Sequence, residues 1–302
     1  MRRNIIRAGA VAAALSFACW LWQPAPGESA APGGNVIRVG LIGTLFRNVP
    51  EPVMQVAMRP FKSLLEDQTG MTGELVAGGD AGHLAALLKE GKVQFGVFHG
   101  VEFAWARQNN PALRPLIVAV NGRPAMHAVV LVPQESKAAT CADLKGKAVG
   151  LPADSREHCR LFFDRRCVAP GCCPDQFFGR VLAPRDVGEA LDDLVDGKTD
   201  ALVVDGLTLE AYRKLKPGRA ARLRTLLRSE AFPAAVVAYH PGALSEDLLT
   251  RFRDGLLAAG STRRGRRLLA MCRITAFQAV PDNYDEMLKD IAKAYPPPAA
   301  AK

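Results

Sequence analysis

The sequence predicts an α/β protein of two lobes, each a mainly parallel sheet flanked by helices, joined by two hinge strands. Three observations carry this expectation. Short apolar runs alternate with segments of helical periodicity along most of the chain, as parallel βαβ construction requires. MHAVVLV at 126–132 is an apolar strand with no helix directly before it, and AAVVAYHP at 234–241 repeats its position and pattern. The 302 residues, 49% hydrophobic and 23% charged, suffice for two ordinary domains with a proper core, and they exclude a disordered chain.

Each element has its own local warrant. VIRVGLIG (36–43) is an apolar run ending in glycine, a candidate buried parallel strand. From Glu51 to Thr69, Val53, Val56, Ala57, Phe61, Leu64 and Leu65 recur at helical spacing, and Gly70 ends that helix. GELVAGG is the next strand, Asp80 caps the helix DAGHLAALLKEGK, and VQFGVFHG is a third strand. A helix over 101–109 and the strand RPLIVAV complete this half. The second half repeats the scheme. Strand AVGLP, a helix from about Arg156, strand GRVLA, helix RDVGEALDDLVDGK, strand TDALVVDG and helix LTLEAYRKLK follow one another. After AAVVAYHP come the helical segments SEDLLTRFRDGLLAA, STRRGRRLLAMC and NYDEMLKDIAKAY. The first lobe is therefore expected over 36–126 plus 234–295, the second over 127–233, with PPPAAAK (296–302) as a frayed tail.

Residues 1–31 read as a targeting segment: Arg2, Arg3 and Arg7 precede the apolar run Ala8 to Trp22, and QPAPGESAAPGG follows. The run is long for a signal core and short for a membrane span, so a cleaved export signal and an N-terminal anchor both remain open, as does a lipid anchor on Cys19. Its removal would take away three arginines and Glu28, lowering the net charge from +9 to +7. That charge favours anions in general. The basic residues are dispersed and aromatics make up only 7%, so nucleic acid is not expected as a partner. The one dense cluster, Arg263, Arg264, Arg266, Arg267 and Arg273, reads as a solvated helical face or as a docking surface for a partner or acidic lipid.

Six cysteines follow Cys19, and four of them (Cys159, Cys167, Cys172, Cys173) lie close together, with Cys141 and Cys272 apart. In an exported protein this pattern predicts a disulfide-stapled loop. A metal site of His158 with these thiols, a redox role, or free buried thiols are the alternatives; the paired C-x-x-C spacing of zinc sites does not occur, and no metal or cofactor is expected. No G-x-S-x-G, H-E-x-x-H or P-loop occurs, and Cys159 and His158 are neighbours on a helix, pointing about 100° apart, so catalysis is not expected.

ADLKGKAVGLPADS, the helix after it and DVGEALDDLVDGKTDALVVDG resemble, in that order, the PhnD-like phosphate/phosphonate substrate-binding proteins of ABC importers. GRRLLAMCRITAFQAVPDNYDEM is similar to that family's end, with Phe277 and Tyr284 on its aromatic positions and Asp282 shifted by one place. The resemblance spans about 36–295. It implies a type II periplasmic-binding-protein fold, a small anionic ligand in the interlobe cleft, a periplasmic location, a monomer, and an ABC permease or membrane sensor as partner. The sequence departs from the family at the helix start, where Asp154-Ser155-Arg156-Glu157 stands in place of a Ser-Thr-Ser-Gly-like turn. Phe46 and Phe103 occupy the neighbourhoods of expected tyrosines.

Ligands in open α/β sheets bind outside the carboxyl ends of strands. That places seven candidates: Thr44 as a hydroxyl donor and Phe46 as a wall after the first strand, His99 and Phe103 after the third, Ser155 and Arg156 at the helix start, and Asp205 after ALVVD. A helix N-terminus offers free N–H groups and partial positive charge, Ser155 a hydroxyl and Arg156 a bidentate guanidinium. The bland alternatives are capping by Asp154, Ser155 or Asp205, a capping box with Glu157, and simple packing of Phe46. His127 and His240 read as hinge packing.

Overall fold

The computed structural model describes residues 36–47 and 51–298, all within one compact contact unit. The segment 1–31 read as a targeting signal lies outside the described residues, as do 299–302 of the expected tail.

The chain opens with β1 (Val36–Leu41), a 3-10 turn at Gly43–Phe46, and then α1 (Glu51–Ala57) and α2 (Arg59–Thr69). The single helix expected over 51–69 is thus broken at Met58. Pro60 in the first turn of α2 has no N–H to give the preceding turn, so the ladder restarts there. Gly70 ends α2 in the left-handed conformation, φ 70°, its N–H bonding to Glu66 O. There follow β2 (Thr72–Ala77), α3 (Ala81–Lys89) capped by Asp80, β3 (Phe95–Phe98), α4 (Gly100–Asn109) and β4 (Arg114–Val120). The chain crosses over on β5 (Ala125–Met126) and enters β6 (Ala128–Pro133), β7 (Ala148–Gly150), α5 (Glu157–Arg166), α6 (Pro174–Phe177) and β8 (Arg180–Leu182). Next are α7 (Val187–Val195), β9 (Ala201–Asp205), α8 (Gly206–Leu215), α9 (Pro217–Ala220) and β10 (Leu223–Arg228). It returns on β11 (Phe232–Pro233) into β12 (Ala235–Tyr239), α10 (Glu246–Leu257), α11 (Arg263–Met271), β13 (Ala276–Gln278) and α12 (Tyr284–Ala294).

Two sheets result, six strands in the order β13-β4-β12-β3-β1-β2 and five in the order β10-β6-β9-β7-β8. β1 runs parallel to β2 and β3, and β7 runs parallel to β8 and β9. β6 and β12 are antiparallel to both neighbours. Each follows a short strand of the connecting ribbon and not a helix, and antiparallel pairing needs no crossover helix. The expected hinge strands therefore lie inside the sheets, and the connection itself is a separate two-residue ribbon, Phe232 opposite Met126 and Pro233 opposite Ala125.

Gly100 fits this ribbon against α4, since a Cβ there would lie 2.4 Å from Pro233 O. Tyr284, fully buried at the start of α12, donates its hydroxyl to Ala234 O at 2.9 Å and fixes the return strand from the other side. An apolar cluster runs from Leu84, Phe98 and Val101 through Phe232 to Phe162 and Val203, so both sheets pack into the hinge region. Among the described residues, no helix is long and apolar enough to cross a membrane.

Candidate functional site

The carboxyl ends of β1, β3 and β9 and the start of α5 bring polar side chains together between the sheets. Thr44, in the turn after β1, donates its hydroxyl to Glu102 Oε2 at 2.7 Å. Glu102 is 5% exposed, and burial pushes its carboxyl up to about 7 against the opposing effect of that hydrogen bond. His99 is the N-cap of α4 without a side-chain cap bond. Burial first, then the nearby His158, holds its imidazole down to about 4, so it is neutral near pH 7.

From the second lobe, His158 on α5 and Asp205 at the end of β9 place Nε2 and Oδ2 3.0 Å apart, both side chains nearly buried. Cys159 Sγ lies 3.4 Å from the same ring nitrogen. Expecting adjacent helix residues to diverge was therefore wrong here; in this first turn the imidazole folds back over its neighbour's sulfur. No catalytic relay follows, because thiol and carboxylate meet one ring nitrogen instead of the two that a Cys–His–Asp arrangement uses. Burial pushes the Cys159 thiol well up, with Asp205 adding to the shift, so it is a neutral thiol.

The α5 start differs from the expected capping box. Its N-cap is Arg156, and no side chain caps it. Asp154 binds Arg273 Nη2 at 2.7 Å, and both oxygens of Glu157 accept from Arg47 Nη2 at 2.8 Å. The reason lies across the cleft: arginines of the first lobe draw both carboxylates away from the helix N–H groups. Arg156 donates to Arg273 O. Arg273 has φ 52°, a left-handed conformation that a side chain tolerates poorly, and it follows α11 with Ile274 N bonded back to Leu269 O. Three links thus join the lobes around the start of α5.

The other candidates fall into place as follows. Ser155 is half-buried beside Arg156, its carbonyl accepting from Arg160 Nε at 3.2 Å. Asp205 serves both readings, Oδ1 capping α8 through Leu207 N at 2.7 Å and Oδ2 facing His158. Phe103 is 0% exposed and packs on Phe98, which corrects its expected place on the cleft wall: the second turn of α4 faces the core. The Phe46 side chain lies outside the described residues. His127 Nδ1 meets Ser229 O at 3.1 Å beside the hinge, whereas His240 is a surface residue bonded to Pro241 O. The sequence reading missed Glu102, Arg47, Glu157 as a cross-lobe partner, and Arg273. Arg47, Glu102 and Glu157 all lie in the strand-end segments that hold the candidates, so that rule could have found them, whereas Arg273 left no such signal.

The disulfide staple is not formed, and all six described cysteines are free thiols. The four of the expected loop do not converge: Cys159 turns to the cleft, Cys167 into the core, Cys172 and Cys173 to solvent. Cys141 and Cys167 interact instead with each other, which lowers the Cys141 thiol and raises that of Cys167. A groove of about 260 Å³ opens beside the hinge ribbon among Arg123, Met126, His127, Arg213 and Arg228. Its arginines are exposed and it touches the site only through Gly206 and Leu207, so the chemistry concentrates elsewhere.

The fold is that of a two-lobed periplasmic binding protein of type II. Residues 46–284 match the family of ABC-transporter phosphonate periplasmic substrate-binding proteins, and the chain belongs to it. The family consists of transport receptors that bind a small ligand outside the cytoplasm and work with an ABC permease. No curated protein matches the chain. Solved structures share the fold at low identity. A Xanthomonas citri protein bound to ATP is 17% identical over 86% of this chain and 97% of its own, with TM-score 0.58. PhnD1 of Prochlorococcus marinus, in complex with methylphosphonate, is 13% identical over 86% and 98%, with TM-score 0.55. A binding-protein component of an ABC phosphonate transporter from Pseudomonas aeruginosa is 18% identical over 85% of each chain, with TM-score 0.53.

Proposed function

We propose that the protein is exported by its N-terminal segment and, as a monomer, captures a small anionic ligand for an ABC importer. The ligand class is a phosphonate- or phosphate-like oxyanion or a small carboxylate. Lobe 1 comprises 36–126 and 234–295, lobe 2 comprises 127–233, and the β5/β11 ribbon absorbs their relative motion. The observation that carries this reading is the start of α5, where Arg156 stands at an N-cap free of any side-chain cap. The first N–H groups and the helix dipole there favour an anion, and Ser155, Arg156 and Arg47 supply donors around it.

In the described arrangement the Glu157 carboxylate holds Arg47, so an incoming anion takes over a cation that the protein's own acid occupies. Ser155 is the one hydroxyl where phosphonate binders carry several, and Arg156 adds a planar fork suited to a carboxylate as well as a phosphonate. The test is a thermal-shift panel of phosphate, phosphite, alkylphosphonates, sulfonates and small carboxylates. A true ligand at hundreds of times its Kd stabilises by about 3–4 kcal/mol. A panel without any shift would remove the reading.

A further inference from the structure

We propose that the floor of the interlobe cleft is a site for one divalent transition-metal ion of the zinc class, held by His158 Nε2, Cys159 Sγ and Asp205 Oδ2. The site goes beyond anion capture and does not depend on it, because its donors are distinct from Arg47, Ser155 and Arg156.

Distances among the donors carry the inference. His158 Nε2, Cys159 Sγ and an Asp205 carboxylate oxygen all lie within 4.8 Å of one another. A tetrahedral ion with Zn–N and Zn–O near 2.0 Å and Zn–S near 2.3 Å has N···O edges of about 3.3 Å and N···S edges of about 3.5 Å. The corresponding separations here are 3.0 and 3.4 Å.

Unmet polar atoms are the second, independent observation. Among the described residues, three buried side-chain atoms take no hydrogen bond, and two of them are Asp205 Oδ2 and His99 Nε2. Oδ2 lies 3.0 Å from the His158 ring nitrogen, yet the N–H does not point at it. The Asp205 side chain is only 10% exposed. A buried anionic oxygen without a donor is costly, and a dication satisfies it.

Imidazole, thiol and carboxylate together are a donor set for zinc, cobalt or nickel and not for magnesium or calcium. The Cys159 thiol must lose its proton to solvent as its sulfur binds the ion, so loading releases acid.

Titrating the chelator-stripped protein with Co²⁺ alone tests the site. Expected are saturation at one equivalent, visible bands of tetrahedral cobalt and near-ultraviolet thiolate-to-cobalt charge transfer, with Zn²⁺ displacing the colour. Cys159→Ser should abolish the charge-transfer band, and Asp205→Asn and His158→Ala should each weaken binding tenfold or more. The Cys172→Ser/Cys173→Ser double variant, which removes the two exposed thiols, should leave the spectrum unchanged. If Cys159→Ser melts before wild type, Asp205→Asn alone decides by its affinity. Absence of colour at one equivalent, a band that survives Cys159→Ser, or a band lost with Cys172 and Cys173 would each overturn the proposal. Failure of the anion panel leaves this titration standing, and the reverse holds too.

Discussion

Arg47 Nη2, in the turn after β1, lies 2.8 Å from both carboxylate oxygens of Glu157, in the first turn of α5. The contact spans the cleft and is partly open to solvent, Arg47 being 46% exposed and Glu157 15%. Such a pair stabilises folding by only about 0–1 kcal/mol. Its larger effect falls on the balance between closed and open lobes. Glu157→Gln should therefore leave the melting temperature within a few degrees of wild type and raise the radius of gyration measured by small-angle scattering at low salt. An unchanged radius would show that the latch does not set closure.

Glu102 gives a pH signature. Its folded carboxyl titrates at about 7 against an ordinary 4.5, so the native state binds the extra proton. The group's stabilising contribution is full below pH 4.5 and disappears as pH rises through 7. The whole span corresponds to about 3 kcal/mol. In urea melts of the metal-free protein, Glu102→Gln should reduce the loss of stability between pH 4.5 and 7 that wild type shows. Parallel pH profiles for the two would refute the assignment.

Tyr295 closes the C-terminal helix onto the hinge side of the molecule. It is fully buried, its hydroxyl donates to Glu230 Oε2 at 2.6 Å, and its carbonyl accepts from Trp105 Nε1 at 2.7 Å. Tyr295→Phe should cost about 1 kcal/mol, because Glu230 retains Arg166 as a partner. Tyr295→Ala should cost about 3–5 kcal/mol through the cavity. Equal losses in the two variants, measured by denaturant titration, would contradict this division.

Gly100 tests the seating of the hinge. Alanine there drives its Cβ into Pro233 O, a backbone atom that cannot swing aside as a side chain can. A loss of about 1–3 kcal/mol is expected from the overpacking. A neutral Gly100→Ala in thermal unfolding would mean that the ribbon shifts freely.

Native alkylation should modify Cys172 and Cys173 first and leave Cys141, Cys159 and Cys167 protected until the protein unfolds. Mass mapping of the labelled peptides reads the order directly.

The sheets were legible because their signals are local. Runs such as ALVVD and AVVLV are apolar and short, and Gly70 and Asp80 bound helices by their own backbone or side-chain chemistry; the helixless strands marked the crossing between lobes, but their antiparallel pairing was not read from them. β10 and β13 escaped notice because LRTLLR and AFQ owe their strand character to pairing with β6 and β4. The site was legible only as strand ends. His99, Ser155, Arg156 and Asp205 follow from that rule, but a capping box at Asp154 and Glu157 failed because Arg47 and Arg273 come from distant sequence. Phe103 failed for a different reason, since the helical turn that carries it faces inward.

Calorimetric titration of wild type and Arg156→Ala with the best anion from the panel addresses anion capture at α5 most directly. The account predicts one anion per protein, with affinity falling tenfold or more in the variant while its unfolding curve stays close to wild type. Equal affinity in the two proteins would place the ligand elsewhere and contradict it.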